Sequence, residues 1–189
     1  MVWTSSSAIH LQINRNDVFA VNRNHAGSQF GPVDYCGGIA RIVVDVGGSP
    51  FVADGNTFRQ RLSLETAECV IEGHKLNVSC FVASFADMLI LEIDDQRESP
   101  QPLRIRCSML REPEVRTGEH VARSAFAENT DRVLLTQQFQ EQDYFNASAV
   151  AVALSGGPAS VEKPSAGERI LVAPAVRGRR LVLISSAAT

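Results

Sequence analysis

The chain lacks any concentration of positive charge. Its 18 Lys and Arg are outnumbered by 21 Asp and Glu, for a formal charge of -3, so the counterion-release attraction that drives nucleic-acid binding is not expected. The one basic cluster, Arg177-Gly178-Arg179-Arg180, flanks the apolar run Leu181-Val182-Leu183-Ile184 and reads as a hairpin turn with solvated arginines. Long apolar runs are missing too: no stretch approaches the ~20 residues of a membrane helix, and no basic-then-apolar leader opens the sequence. A soluble domain with no membrane partner is expected, and a secreted or periplasmic parent is compatible with it.

Metal-ligand spacing is absent. The cysteines, Cys36, Cys69, Cys80 and Cys107, form no C-x-x-C pair and have no histidine at zinc-ligand spacing. Cys69, Cys80 and Cys107 stand among apolar neighbours and are read as buried, inert thiols. Gly73 predicts a hairpin turn centred one residue before His74-Lys75, which would stagger Cys69 against Cys80 and argue against a disulfide. There is no Gly-rich phosphate loop after a strand, no Gly-x-Ser-x-Gly elbow and no Walker motif, so no cofactor is expected. None of the histidines at 10, 25, 74 and 120 is spaced to pair with an acid or a nucleophile. His10 and His120 are expected at the surface or loosely hydrogen-bonded, and His74 in a turn.

What the sequence does contain is alternation. Short apolar-polar segments separated by Gly, Pro, Asn and Asp predict strands at about 8–14, 38–46, 59–71, 75–84, 88–94, 102–110, 120–126, 132–139, 147–154, 169–172 and 180–186. This is the pattern of one all-β domain spanning 1–189, built as two packed antiparallel sheets. The segments 59–71 and 75–84 should pair as a hairpin, with Leu62, Leu64, Leu76, Val78, Cys80 and Val82 alternating. Met88 to Ile93 is a denser apolar run, as in a mid-sheet strand covered on both faces. In the strand after the polar connection Asp94–Pro102, Leu103, Ile105, Cys107 and Met109 form a core face. Arg104, Arg106 and Ser108 form the other, either wet or covered by another domain. The stretch from Gly156 to Gly167 reads as a long loop inside the domain. Met1-Val2-Trp3 stands so close to the first strand that the chain is expected to begin inside a sheet, truncated from a larger protein, with Trp3, Leu11, Ile13 and Val18 on one buried face.

Asn14, Arg15, Asn16 and Asp17 then make a polar corner, the leading functional candidate. Sugar recognition needs side chains with several hydrogen-bonding groups beside an aromatic face. The span from Asn14 to Tyr35 has that mixture, with Arg23 and His25 in a long polar loop continuing to Gly37-Gly38. A second polar and aromatic patch, Gln138 to Phe145, carries Asp143 and Tyr144 and reads as a hairpin connection with Tyr144 and Phe145 partly packed. The candidates for carbohydrate or domain-interface contact are therefore Asn14, Asn16, Asp17, Arg23, His25, Tyr35, Asp143 and Tyr144. The plainer alternative is that these Asn and Asp side chains satisfy turn backbones. Glycoside hydrolysis needs two carboxyl groups at a fixed separation. Asp17, Asp34, Glu128 and Asp143 lie on different loops, so no catalytic residue is assigned.

The order of motifs resembles the N-terminal β-domain of glycoside hydrolase family 95 and its uncharacterised relatives. Leu11-Gln12-Ile13-Asn14-Arg15-Asn16-Asp17-Val18-Phe19 is similar to that family's Leu-Gln-Ile/Leu-Asn-x-x-Asp-x-Phe/Trp motif, preceded by a segment like Met1-Val2-Trp3. Strands resembling Phe58–Ala67 and Phe81–Ile90 follow in the same order, and Asp34-Tyr35-Cys36-Gly37-Gly38 and Asp143-Tyr144 look like the less studied branch, not the fucosidases. The resemblance implies a galactose-mutarotase-like super-sandwich joined to a downstream (α/α)6 barrel that holds the catalytic acid and base. It implies a non-catalytic domain whose partner is that barrel and whose polar corner faces it. Two alternatives stand beside it: a free-standing carbohydrate-binding module using Tyr35, Tyr144 or Trp3 as a stacking platform, and a mutarotase-like epimerase working with His and Glu.

Overall fold

The computed structural model describes residues 1–22, 33–53, 58–117 and 119–189, with the backbone alone at 19–22, 33–36 and 117. In chain order the strands are β1 (Val2–Thr4), β2 (Ala8–Asn22), β3 (Val33–Asp45), β4 (Arg59–Ser63) and β5 (Glu68–Gly73). They continue as β6 (Leu76–Val82), β7 (Met88–Asp95), β8 (Leu103–Ser108), β9 (Glu114–Thr117) and β10 (His120–Phe126). The last are β11 (Arg132–Glu141), β12 (Tyr144–Ser155), β13 (Ser160–Ser165), β14 (Glu168–Ala173) and β15 (Gly178–Ala188). Among the described residues no helix is long and apolar enough to cross a membrane.

The strands make two antiparallel sheets, the all-β sandwich that alternation predicts. One has six strands in the order β1-β2-β3-β8-β14-β13; the other has nine, β4-β5-β6-β7-β15-β12-β11-β10-β9. Ile9 and Leu11 from β2, Ile42 from β3 and Ile105 from β8 meet Ile71, Leu76, Leu91, Leu135 and Ile184 of the larger sheet in one core cluster. Each of these side chains is almost wholly buried, contributing about 1.5–3 kcal/mol relative to exposure. β7 lies inside its sheet, between β6 and β15, which explains its dense apolar run. Outward on β8, Arg104 pairs with Glu162 at 2.6 Å and Arg106 with Glu168 at 3.2 Å, so this face neutralises itself across neighbouring strands.

Several expectations are corrected. The predicted strand 59–71 is two, β4 and β5, joined by a turn in which Ser63 Oγ accepts from the Thr66 amide and Ala67 has φ 54°. Leu62 and Leu64 belong to that exposed edge, 62% and 89% accessible, not to the core. The loop Gly156–Gly167 contains β13, paired with β14. β14 and β15 belong to different sheets, so the basic cluster is not a hairpin turn: Arg177 ends the crossover and Gly178, Arg179 and Arg180 open β15. Arg180 is buried there, donating to the carbonyls of Pro174 and Val176. Trp3 pairs with His10 and stacks on its ring at 5.3 Å, 37% exposed, because Leu11 and Ile9 take the inward positions. The edge strands β4 and β9 both present charge: Arg59 and Arg61 on one, Glu114 and Arg116 on the other, all exposed.

The β5–β6 turn also differs from expectation. Gly73 pairs with Leu76, so the turn is His74-Lys75, with Lys75 at φ 50°. Cys69 consequently faces Cys80 directly, and both remain free thiols. Gly73 is needed for close approach, not for turning: a Cβ there would meet the Pro50 carbonyl oxygen at 2.6 Å and the Phe51 ring at 2.8 Å. The adjacent His74 amide donates to the same Pro50 oxygen at 2.9 Å.

At the far end of β7, Arg97 is almost buried. Its guanidinium donates to Asp95 at 2.9 and 2.6 Å, to the Gly47 carbonyl at 2.6 Å and to the Val46 carbonyl at 2.7 Å. It thereby ties the larger sheet to the end of β3 in the smaller one.

Gly73→Ala is expected to lower stability by about 1–3 kcal/mol through overpacking against rigid backbone, read as a reduced urea midpoint at constant slope. Burial pushes the Cys80 and Cys107 thiols up to about 12. In the native protein near pH 8, iodoacetamide should therefore leave both unmodified until denaturant is added, as peptide mass mapping would show.

Candidate functional site

The polar corner is a bulge in β2. Ile13 pairs with Ala40 and Asn14 with Gly38, but the next pair is Phe19 with Cys36. Arg15, Asn16, Asp17 and Val18 therefore stand against Gly37 alone, and the extra chain loops out of the ladder. Val18 anchors the bulge, fully buried with Cγ1 packed 3.3 Å from where a Gly37 Cβ would sit. Strand pairing resumes beyond it, so β2 and β3 extend into much of what reads in sequence as a loop.

Arg15 organises the bulge. Its Nε and Nη2 donate to the Asp17 carboxylate at 2.8 and 2.6 Å. Nη1 reaches the other sheet, donating to the carbonyl and hydroxyl of Ser186 at 3.1 Å each and lying 3.0 Å from Asp87 in the β6–β7 turn. The Arg15 side chain is 16% exposed, whereas those of Asp17 and Asp87 are 47% and 70% exposed. Hydrogen bonding from Arg15 holds the Asp17 carboxyl below its ordinary value of 3.8, and the two carboxylates hold the Arg15 guanidinium more firmly protonated.

Beside this closure lies a cleft of about 480 Å³. Gln12, Asn14 and Asn16 supply amide groups, while Ile13, Val82, Met88 and Leu89 supply an apolar lining. Gln12 Nε2 donates to Asn14 Oδ1 at 3.2 Å. The absence of a side chain at Gly38 makes room for that arrangement, since a Cβ there would lie 2.9 Å from Asn14 Oδ1 and 2.5 Å from Leu110 Cδ1.

The residue that follows the second candidate patch reaches the same end. Asn146, near the start of β12, donates through Nδ2 to the Asp17 carbonyl at 3.3 Å and to the Thr189 carbonyl at 2.8 Å. Asp143 lies in the β11–β12 turn and Tyr144 opens β12, exposed and half-buried respectively, as a hairpin connection predicts. Phe145, expected to be partly packed, is 56% exposed. Tyr35 is placed by its backbone opposite Ala20 in the β2–β3 ladder. Arg23 and His25 lie outside the described residues.

Sequence spacing misses one buried polar group. His120, expected near the surface, is 5% exposed, its Nδ1 3.4 Å from Oε2 of the fully buried Glu141. The two sit on neighbouring strands at one end of the nine-stranded sheet, so pairing comes from register and not from local spacing. Phe139 stacks on the His120 ring at 5.9 Å, and the Arg111 guanidinium covers Phe139 at 5.2 Å. Gln137 and Ser148 continue this polar stretch of the inward face. The only sequence signal was a polar residue at inward positions of alternating strands. Among the described residues, no group of three or more His, Cys, Asp or Glu is arranged to hold a metal ion.

Arg15→Ala should return the Asp17 carboxyl upward toward its ordinary value, measured by NMR titration of its side-chain carboxyl. Because the folded carboxyl is depressed, its stabilisation is present above the unfolded pKa and lost as pH falls through the folded one. With Asp17 half exposed, that pH-dependent share should stay below about 1 kcal/mol. In comparison with known proteins, no family model matches the chain, and no curated protein matches it.

Proposed function

We propose that this chain is a non-catalytic β-sandwich domain of a multidomain glycoside hydrolase, supporting a separate (α/α)6 catalytic domain. The observation that carries the non-catalytic reading is the engagement of Asp17 and Asp87 by one guanidinium. Glycoside hydrolysis needs a carboxyl kept protonated to serve as acid, facing a second carboxylate across the scissile bond. Arg15 does the reverse, favouring the ionised form of Asp17. The order of sequence motifs that resemble family 95 supports the choice of parent enzyme.

The epimerase alternative requires an acid and a base that touch sugar. His120 and Glu141 form the one His–Glu pair noted above, but both are buried, with Phe139 stacked on His120 and Arg111 over Phe139. That cover favours a structural role.

The isolated chain should release no chromophore from aryl glycosides and should not accelerate glucose anomerisation followed by NMR. Turnover abolished by Asp17→Asn or Asp143→Asn would overturn the non-catalytic reading, as would anomerisation lost in Glu141→Gln. A parent gene encoding no helical barrel after this segment would overturn the multidomain assignment.

A further inference from the structure

We propose that the cleft between the β2 bulge and the β6–β7 turn is a binding site for a neutral saccharide. The inference deepens the function proposed above and rests on it for choosing saccharides among neutral polyols.

The cleft's volume, about 480 Å³, falls in the ~300–1,000 Å³ range of small-molecule sites. Its lining is divided in chemistry. Amides from Gln12 and Asn14 offer both donors and acceptors, and Val82, Met88 and Leu89 add apolar surface. A pyranose has the same division, with hydroxyls around its rim and an apolar patch on the ring face. The hydrogen bond from Gln12 Nε2 to Asn14 Oδ1 orients two of the amides before any ligand arrives. It leaves Gln12 Oε1 as an acceptor and Asn14 Nδ2 as a donor, with the rotamer cost of ordering them already met in the free protein.

Charge decides against an anionic ligand. Two cations line the cleft: Arg15, committed to Asp17, Asp87 and Ser186, and the Met1 ammonium, which donates to the Gln12 carbonyl at 3.4 Å. A phosphate or carboxylate would have to displace those carboxylates and would meet their negative charge. A neutral ligand leaves the closure intact and can take hydrogen bonds from it.

The test is an NMR titration of the isotope-labelled chain with glucose, galactose, mannose, xylose and maltose, with glucose 6-phosphate and glucuronate as charged counterparts. At least one neutral sugar should give saturable shifts at residues 12–16, 82 and 87–89, and its charged counterpart should bind about tenfold more weakly or worse. Val82, 65% exposed at the cleft, permits a block that spares the core: Val82→Trp should leave the melting temperature unchanged and abolish those shifts. Asn14→Leu replaces it should Val82→Trp fail to fold. No saturable shift up to about 50 mM of any neutral sugar, shifts confined to the Trp3–His10 face, shifts that survive the blocking variant, or preference for the charged ligands would each overturn the proposal. Conversion of a sugar during the titration would instead overturn the non-catalytic reading and leave the binding site standing.

Discussion

Two guanidinium groups fasten opposite ends of β7 to the facing sheet, and the rest of the sandwich is arranged between them. At the far end, Arg97 holds Asp95 and the Val46 and Gly47 carbonyls; at the near end, Arg15 holds Asp87 and Ser186. Apolar burial brings two sheets together without fixing how they are offset, whereas a planar fork bonded to both admits little sliding. The two closures differ in environment. Arg97 and Asp95 are 9% and 5% exposed, so desolvation consumes much of their attraction and the backbone carbonyls are needed to complete the guanidinium's bonding. The Arg15 closure is open to water on its carboxylate side, which weakens it but keeps polar groups at the surface.

That contrast places the cleft at the near end. The far closure is sealed by the turn through Gly47 and Gly48, whose positive φ angles of 61° and 65° bring main chain directly onto Arg97. At the near end the β2 bulge pushes chain outward, and a concavity forms beside the arginine. The sheets are thus joined at both ends, and the near joint opens onto much the larger space, about 480 Å³ against about 10 Å³ beside Arg97.

Alternation made the sandwich legible because inward positions of β6 and β8 carry apolar side chains at every second residue. The polar corner was legible for a related reason: Asn14-Arg15-Asn16-Asp17 breaks that alternation. What could not be read was partnership across sheets. Arg15 and Asp87, or Arg97 and Val46, are joined by topology, and nothing local in the sequence marks them. Gly73 shows the same limit at short range. As a glycine between strands it suggests a turn, yet the Pro50 carbonyl and the Phe51 ring, from a distant segment, are what exclude a side chain there. His120 and Glu141 were missed because register between β10 and β11 is invisible before the strands are paired. The sugar-binding reading of Tyr35, Arg23 and His25 gained nothing, since their side chains lie outside what is described.

The two outer strands of the nine-stranded sheet set a limit on crowding. Each leaves main-chain donors and acceptors available to a passing strand, the usual seed for runaway pairing between molecules. On β4, Arg59 and Arg61 stand on either side of Gln60, and on β9, Arg116 accompanies Glu114. Two copies approaching β4 to β4 would set arginine against arginine at cross-strand distance, a like-charge cost that opposes continuation of the ladder. Charge on both outer strands thus opposes edge-to-edge growth of the nine-stranded sheet.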